Sequence, residues 1–231
     1  MVTLERRWDQ RVEQWHSHVT SAAAFEQVLR RLVELSCPEP ADACVDLGAG
    51  TGFVTSALAP LVSSVLAVDI SAVMAASLAE RAARDGLRNV STQVCDLKEF
   101  DLRPGSADLV VSSYALHHLS DPGKRALVAR AARWLRPGGR LVIADMMFGR
   151  GASQRDRDIL RQKVIALAAK GPGGWWRIAK NLTRYGLGVG QEHPATPEFW
   201  QTALRDAEFT EVVFQPVIAE AGIVRGIRPA N

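Results

Sequence analysis

The segment Val45–Gly52, VDLGAGTG, constrains this chain more than any other. A short apolar run carrying a carboxylate leads into three glycines at alternate positions, and a helical run, Phe53–Leu61, follows at once. Strand, glycine turn and helix in that order open a doubly wound sheet, where ligands settle beyond the carboxyl ends of the strands. Glycine lets the backbone turn sharply and approach a ligand closely. A dinucleotide fold would show G-x-G-x-x-G. Here the order is Gly48-x-Gly50-x-Gly52, and Phe53 stands where the third glycine would be. That argues against a nicotinamide dinucleotide.

The rest of the chain extends the same pattern. SVLAVD reads as a second strand, followed by Ser71 as N-cap, a helix to Asp85 and a stop at Gly86. NVSTQVCD and ADLVVSS read as the third and fourth strands. A helix over 122–135 ends at RPGG, and RLVIADMM is a fifth strand. Short apolar strands alternating with helices imply right-handed crossovers and a mostly parallel sheet covered on both faces. Upstream, Trp8, Val12, Trp15 and Val19 recur at helical spacing. So do Phe25, Val28, Leu29, Leu32 and Val33, after Ser21 as N-cap. The alternation lapses between Phe148 and Pro197, where the pattern predicts helices near 156–169 and 175–185 separated by GPGG. It resumes with a helix over 197–207, then TEVVFQPVIAE and GIVRGIR, which a short turn makes antiparallel neighbours. The expectation is one domain over 1–231: a helical cap (1–40), a ligand-binding core (41–147), a helical insertion (148–197) and a closing helix and hairpin (198–231).

A chain of 231 residues, 47% hydrophobic, can bury one core. It has no run of about 18 apolar residues, the length needed to span a bilayer. The charged start, MVTLERRWDQ, is unlike a secretion signal. Cys37, Cys44 and Cys95 are odd in number, widely spaced and without CxxC, so reduced thiols in a cytoplasmic protein are expected and a metal site is not. Residues 121–190 hold fifteen Lys/Arg against four Asp/Glu. Such a bias suits solvated helix faces, an acidic ligand or a membrane surface. No nucleic-acid module accompanies it.

Two further strands end in acids. Asp69 closes the second strand in AVDIS, where a carboxylate can accept from both hydroxyls of a ribose. Asp96 closes the third in VCDLKEF, placed to accept from an adenine amino group while Leu97 offers a backbone N–H. The chain therefore resembles the class I S-adenosylmethionine-dependent methyltransferases. The resemblance rests on VDLGAGTG, AVDIS, VCDL, DLVVSSYALHHLSDP and LRPGGRLVIAD, dense over 43–147, and more loosely on the terminal TPEFWQTALRDAEF. It implies a Rossmann-like, seven-stranded α/β sheet with the last strand antiparallel, and S-adenosyl-L-methionine as cofactor. It implies Asp46 and the loop Gly48, Ala49, Gly50 and Gly52 around the methionine part, Asp69 on the ribose, Ile70 against the adenine, and Asp96 and Leu97 on its polar edge. Ser112 joins this cofactor-facing set. Ser112 and Ser113 stand where metal-dependent relatives place a carboxylate, so no metal is expected. Glu208 departs from the family pattern, which has glycine after the last helix.

The sulfonium methyl is already electrophilic, so the protein mainly has to place a nucleophile in line with it. A hydroxyl nucleophile must also lose a proton, and a nearby base helps. YALHHLSDP puts two of the five histidines just after the fourth strand, and Asp145 lies near the end of the fifth. An imidazole and a carboxylate from adjacent strand ends can meet, the carboxylate fixing the tautomer. The resemblance singles out His117 as base and Asp145 as its partner, with His118 expected to turn toward protein; a pocket-shaping role for the histidines stays open. The stretch GPGGWWRIAKNLTRYG reads as an amphipathic helix with tryptophans, a lid over a hydrophobic or aromatic acceptor or a membrane-surface element. The expected function is methyl transfer to a small molecule, most simply O-methylation of a secondary metabolite. The alternatives are N- or C-methylation of a lipid or quinone at a membrane, and a binding protein that keeps the fold without catalysis.

Overall fold

A computed structural model describes residues 23–149, 153–168, 193–218 and 220–230. The elements are α1 (Ala23–Ser36), β1 (Ala43–Leu47), α2 (Phe53–Leu58), β2 (Ser64–Asp69), α3 (Ala72–Arg84), β3 (Val90–Val94), β4 (Ala107–Ser113), α4 (Asp121–Trp134), β5 (Leu135–Met146), α5 (Gln154–Ala168), α6 (Pro197–Asp206), β6 (Thr210–Ile218) and β7 (Ala221–Ile227). Short 3₁₀ turns follow α2 at Ala59–Leu61 and β4 at Leu116–His118. The strands form one seven-stranded sheet in the order β3-β2-β1-β4-β5-β7-β6. β1 to β5 run parallel, and β7 is antiparallel to both its neighbours.

Chain reversal between β1 and β4 creates the crevice where ligands bind in such sheets. The central strands are largely apolar because helices cover both faces. One core cluster joins Val45, Val110, Leu127, Trp134 and Trp200, and the other joins Leu32, Leu58, Val65, Leu109 and Val142. Ser71 caps α3 as its sequence position predicts, its hydroxyl accepting the Met74 N–H at 3.1 Å. Thr196 does the same for α6 from the Phe199 N–H at 3.2 Å.

Two local expectations change. RPGG does not merely end α4; β5 begins at Leu135 and carries those residues along the edge of β4, with a register shift between Ala107 and Leu109 and Gly138 at φ 80°. Glu208 occupies the left-handed conformation, φ 64°, that glycine usually fills after a helix. The helix expected around Trp8–Val19, the cap residue Ser21 and the lid stretch Trp175–Tyr185 lie outside the described residues. No helix among the described residues is long and apolar enough to cross a membrane.

Candidate active site

A cleft of about 960 Å³, counting its open mouth, lies beyond the carboxyl ends of β1, β2 and β4. Asp46, Gly48, Ala49, Gly50, Asp69, Ile70, Asp96 and Leu97 all line it, so the strand-end residues singled out from the sequence converge on one wall. The loop after β1 is tied to β2: the Gly48 and Ala49 N–H groups both donate to the Val68 carbonyl, at 2.8 and 3.0 Å. Gly50 donates to Asp69 Oδ2 at 2.8 Å, and Ser71 N–H to Asp69 Oδ1 at 2.9 Å. Asp69 thus organises the glycine loop.

The glycines serve different ends. A Cβ on Gly48 would lie 2.3 Å from Ala115 Cβ, so its absence lets the turn after β4 close down on the loop. A Cβ on Gly50 would meet nothing within 4 Å, because that position faces the cleft. Gly52 corrects the sequence expectation. It is not part of the cleft wall; at φ 86° its missing Cβ makes room for Leu78 of α3, which would otherwise lie 2.6 Å away. Ser112 is corrected as well. Its hydroxyl is buried and donates to the Leu47 carbonyl at 2.8 Å, bracing β4 against β1, while Ser113 lines the cleft.

Asp46 is 1% exposed, and burial raises its carboxyl pKa to about 7, partly offset by the Thr55 hydroxyl that donates to Oδ2 at 2.7 Å. The opposite wall is aromatic. Phe25 of α1 meets Phe53 edge-on at 5.6 Å and Tyr114 at 6.2 Å. Tyr114 stands at φ 50°, a strained conformation for a side chain of that size. Burial, with the charges of Glu220 and Asp145, raises its phenol pKa to about 12. Nothing in the sequence pattern pointed to Phe25 or Thr55, because neither belongs to a strand-end motif.

Asp145 and His117 meet. His117 Nδ1 lies 2.6 Å from Asp145 Oδ1, and the His117 backbone N–H donates to Oδ2 at 2.9 Å. Both residues are buried, at 6% and 1% exposure. The ring nitrogen Nε2 bonds to no described residue. The expectation that His118 faces protein is reversed. The two histidines share a 3₁₀ turn, in which successive side chains splay by about 120°. His117 points inward to Asp145 and His118 lines the cleft, their ring centroids 4.0 Å apart. The Lys124 ammonium and the His117 carbonyl hold the backbone at His193, the latter accepting its N–H at 2.6 Å.

Residues 44–139 match the family model described as a methyltransferase domain. The chain is 30% identical over 167 residues to an uncharacterized methyltransferase of Geobacillus thermodenitrificans, an alignment covering 69% of this chain and 73% of the relative. The chain belongs to the class I S-adenosylmethionine-dependent methyltransferases. Solved structures agree in fold. An N-methyltransferase of Haemonchus contortus, in complex with phosphomonomethylethanolamine and S-adenosylhomocysteine, superposes with a TM-score of 0.71 at 17% identity, over 99% of this chain and 61% of that one. The [4+2]-cyclase SpnF does so at 0.73 and 13% identity, over 99% and 96%. A fold shared by a cyclase and a methyltransferase leaves the reaction to be argued from the site.

The methyltransferase cleft fits its cofactor. Asp46 offers a buried carboxylate to a cationic group, and Gly50 leaves open space. The hydroxyls of Thr51 and Ser113 are buried on the cleft wall without a hydrogen-bond partner among the described residues. Those polar groups would hold the methionine end, Asp69 the ribose, and Asp96 with Leu97 the adenine. The cofactor supplies an electrophilic methyl group. The chain's own residues supply orientation, an aromatic wall and a place for a proton. Among the described residues no cluster of three or more His, Cys, Asp and Glu could hold a metal ion.

Proposed function

We propose that this methyltransferase methylates a hydroxyl of a small hydrophobic or aromatic acceptor, a secondary metabolite, with His117 as general base. The observation that carries the reading is the His117–Asp145 pair. The carboxylate favours the tautomer with its hydrogen on Nδ1, which makes Nε2 the acceptor nitrogen; it bonds to no described residue, and its ring lies 4.0 Å from that of His118 on the cleft wall. A base of this kind contributes roughly 10²–10⁴-fold to a proton transfer. An acceptor whose nucleophile carries no proton to remove would gain nothing from it. The aromatic wall of Phe25, Phe53 and Tyr114 favours an acceptor with a flat apolar body. Three free thiols, Cys37, Cys44 and Cys95, fit work in the cytoplasm.

The test is the pH dependence of turnover with a hydroxyl-bearing acceptor. Wild-type kcat should fall on the acid side as one group protonates, and His117→Ala should lose both most of the rate and that acid limb. Retention of the full rate and the limb in His117→Ala removes the base assignment.

A further inference from the structure

The acid and amide just after β3 stand on a turn held partly by its own hydrogen bonds and partly from α4. Residues 95–106 join β3 to β4 without a helix or strand of their own. Within them, Asp96 Oδ1 accepts the Lys98 N–H at 2.9 Å, and the Glu99 and Phe100 N–H groups both donate to the Asp96 carbonyl at 2.9 Å. Asp96 Oδ2 accepts from no described residue, and the Leu97 N–H donates to none. An acceptor and a donor side by side at a cleft wall complement an amino group next to a ring nitrogen.

That turn is gripped from α4. The Arg130 guanidinium donates to three of its carbonyls: Leu97 at 2.7 Å, Lys98 at 2.7 Å and Phe100 at 2.9 Å. One helical turn on, the Trp134 indole N–H donates to Asp101 Oδ1 at 2.6 Å, and its ring meets Phe100 edge-on at 5.3 Å. Residues four apart share a helix face, so Arg130 and Trp134 act on the turn together. Hydrogen bonds from a charged donor are the strong ones, and a planar guanidinium fixes direction as well as distance.

We propose that Arg130, with Trp134, is a positioning residue of the cofactor site: it sets the turn at 96–101 so that Asp96 and Leu97 read the polar edge of the adenine. Arg130 does not line the cleft and acts only through the turn. This rests on the placement of the adenine at Asp96 and Leu97. The clamp governs recognition of the base more than recognition of the methionine end, which Asp46, Thr51 and Ser113 would hold.

The experiment compares binding of S-adenosylhomocysteine with its N6,N6-dimethyl analogue, by calorimetry on the full chain. The analogue has no amino hydrogens to give Asp96, and sites built to hydrogen-bond a group reject its absence strongly. Wild type should prefer the parent by at least about tenfold. Arg130→Met should weaken the parent about tenfold and shrink the preference to within about threefold. Arg130→Lys, which keeps the charge without the fork, should fall between. A general loss of folding would weaken both ligands alike and leave the ratio intact. Trp134→Phe keeps an aromatic ring against Phe100 but removes the bond to Asp101 and some packing, and it too should lower the ratio, so it decides the matter if Arg130→Met does not fold. An unchanged ratio in the folded variants overturns the clamp. No preference in wild type overturns the adenine placement, and the clamp with it.

Discussion

His117 sets both its ring Nδ1 and its backbone N–H against the one carboxylate of Asp145, at 2.6 and 2.9 Å. The Met146 N–H adds a third donor to Oδ1 at 2.7 Å. The carboxylate therefore fixes the turn after β4, the ring orientation and the tautomer at once. Asp145→Asn would turn an NH₂ group toward donors in a buried site. It should lower kcat by roughly 10²-fold or more and also lower the melting temperature, because a buried polar mismatch costs about 1–3 kcal/mol. A variant with normal kcat would mean that the imidazole needs no carboxylate.

His118 is a wall residue rather than a spectator. His118→Ala should raise KM for cofactor or acceptor severalfold, while the shape of the pH–rate profile stays that of wild type. His117→Ala should do the reverse, removing the acid limb. Steady-state kinetics of the two variants side by side would show whether the roles divide this way.

Asp46 couples the site to pH. Its folded pKa, about 7, exceeds the ordinary carboxyl value of 3.8, so between those values the folded form binds more protons than the unfolded form. Stability should then fall as pH rises through that window. Melting of the free protein at pH 4 to 8 should show the decline, and Asp46→Asn should flatten it. Binding of a cationic ligand favours the ionised carboxylate. Cofactor binding near pH 6 should therefore release a proton, seen in calorimetry as an enthalpy that changes with the buffer.

Gly50 and Gly52 should fail differently when changed to alanine. Gly52→Ala drives a methyl into Leu78 and should cost about 1–3 kcal/mol of stability, the usual penalty for overpacking, on top of its backbone strain. Gly50→Ala meets no protein atom and should lose cofactor affinity with a stability cost near the 1–2 kcal/mol of a left-handed alanine alone. Parallel melting and cofactor titration separate the two.

Glu208 offers a gain. It is exposed at φ 64°, and its backbone N–H donates to the Arg205 carbonyl at 2.9 Å. Glu208→Gly relieves the left-handed strain and adds freedom to the unfolded chain, for a net gain of about 0.5–1 kcal/mol. A raised melting temperature with unchanged kinetics is expected.

The sheet was legible because its central strands are buried on both faces and so appear as short, largely apolar runs. The convergence of Asp46, Asp69 and Asp96 followed from their places in or just after β1, β2 and β3, parallel strands whose carboxyl ends share one edge of the sheet. Finer assignments depended on geometry that residue types do not carry. Ser112 and Ser113 are chemically alike, and only their positions at the end of β4 make one a brace and the other a wall. The two histidines separate because a 3₁₀ turn, not a loose loop, carries them. Gly52 resembles Gly48 and Gly50 in the motif, but its neighbour is Leu78, 26 residues away in sequence. Phe25 reaches the cleft from a helix whose docking no local pattern specifies. The RPGG run looked like a plain stop because a bulged strand and a turn use the same residues.

The central claim is transfer to oxygen with His117 taking the proton. The most direct test uses S-adenosylmethionine with a ¹³C-labelled methyl group and an extract of small molecules from the source cells, followed by NMR of the labelled product. The account predicts one methoxy carbon in the wild-type reaction and its near-loss with His117→Ala. Label on nitrogen or carbon, or an equal methoxy yield from His117→Ala, would contradict it.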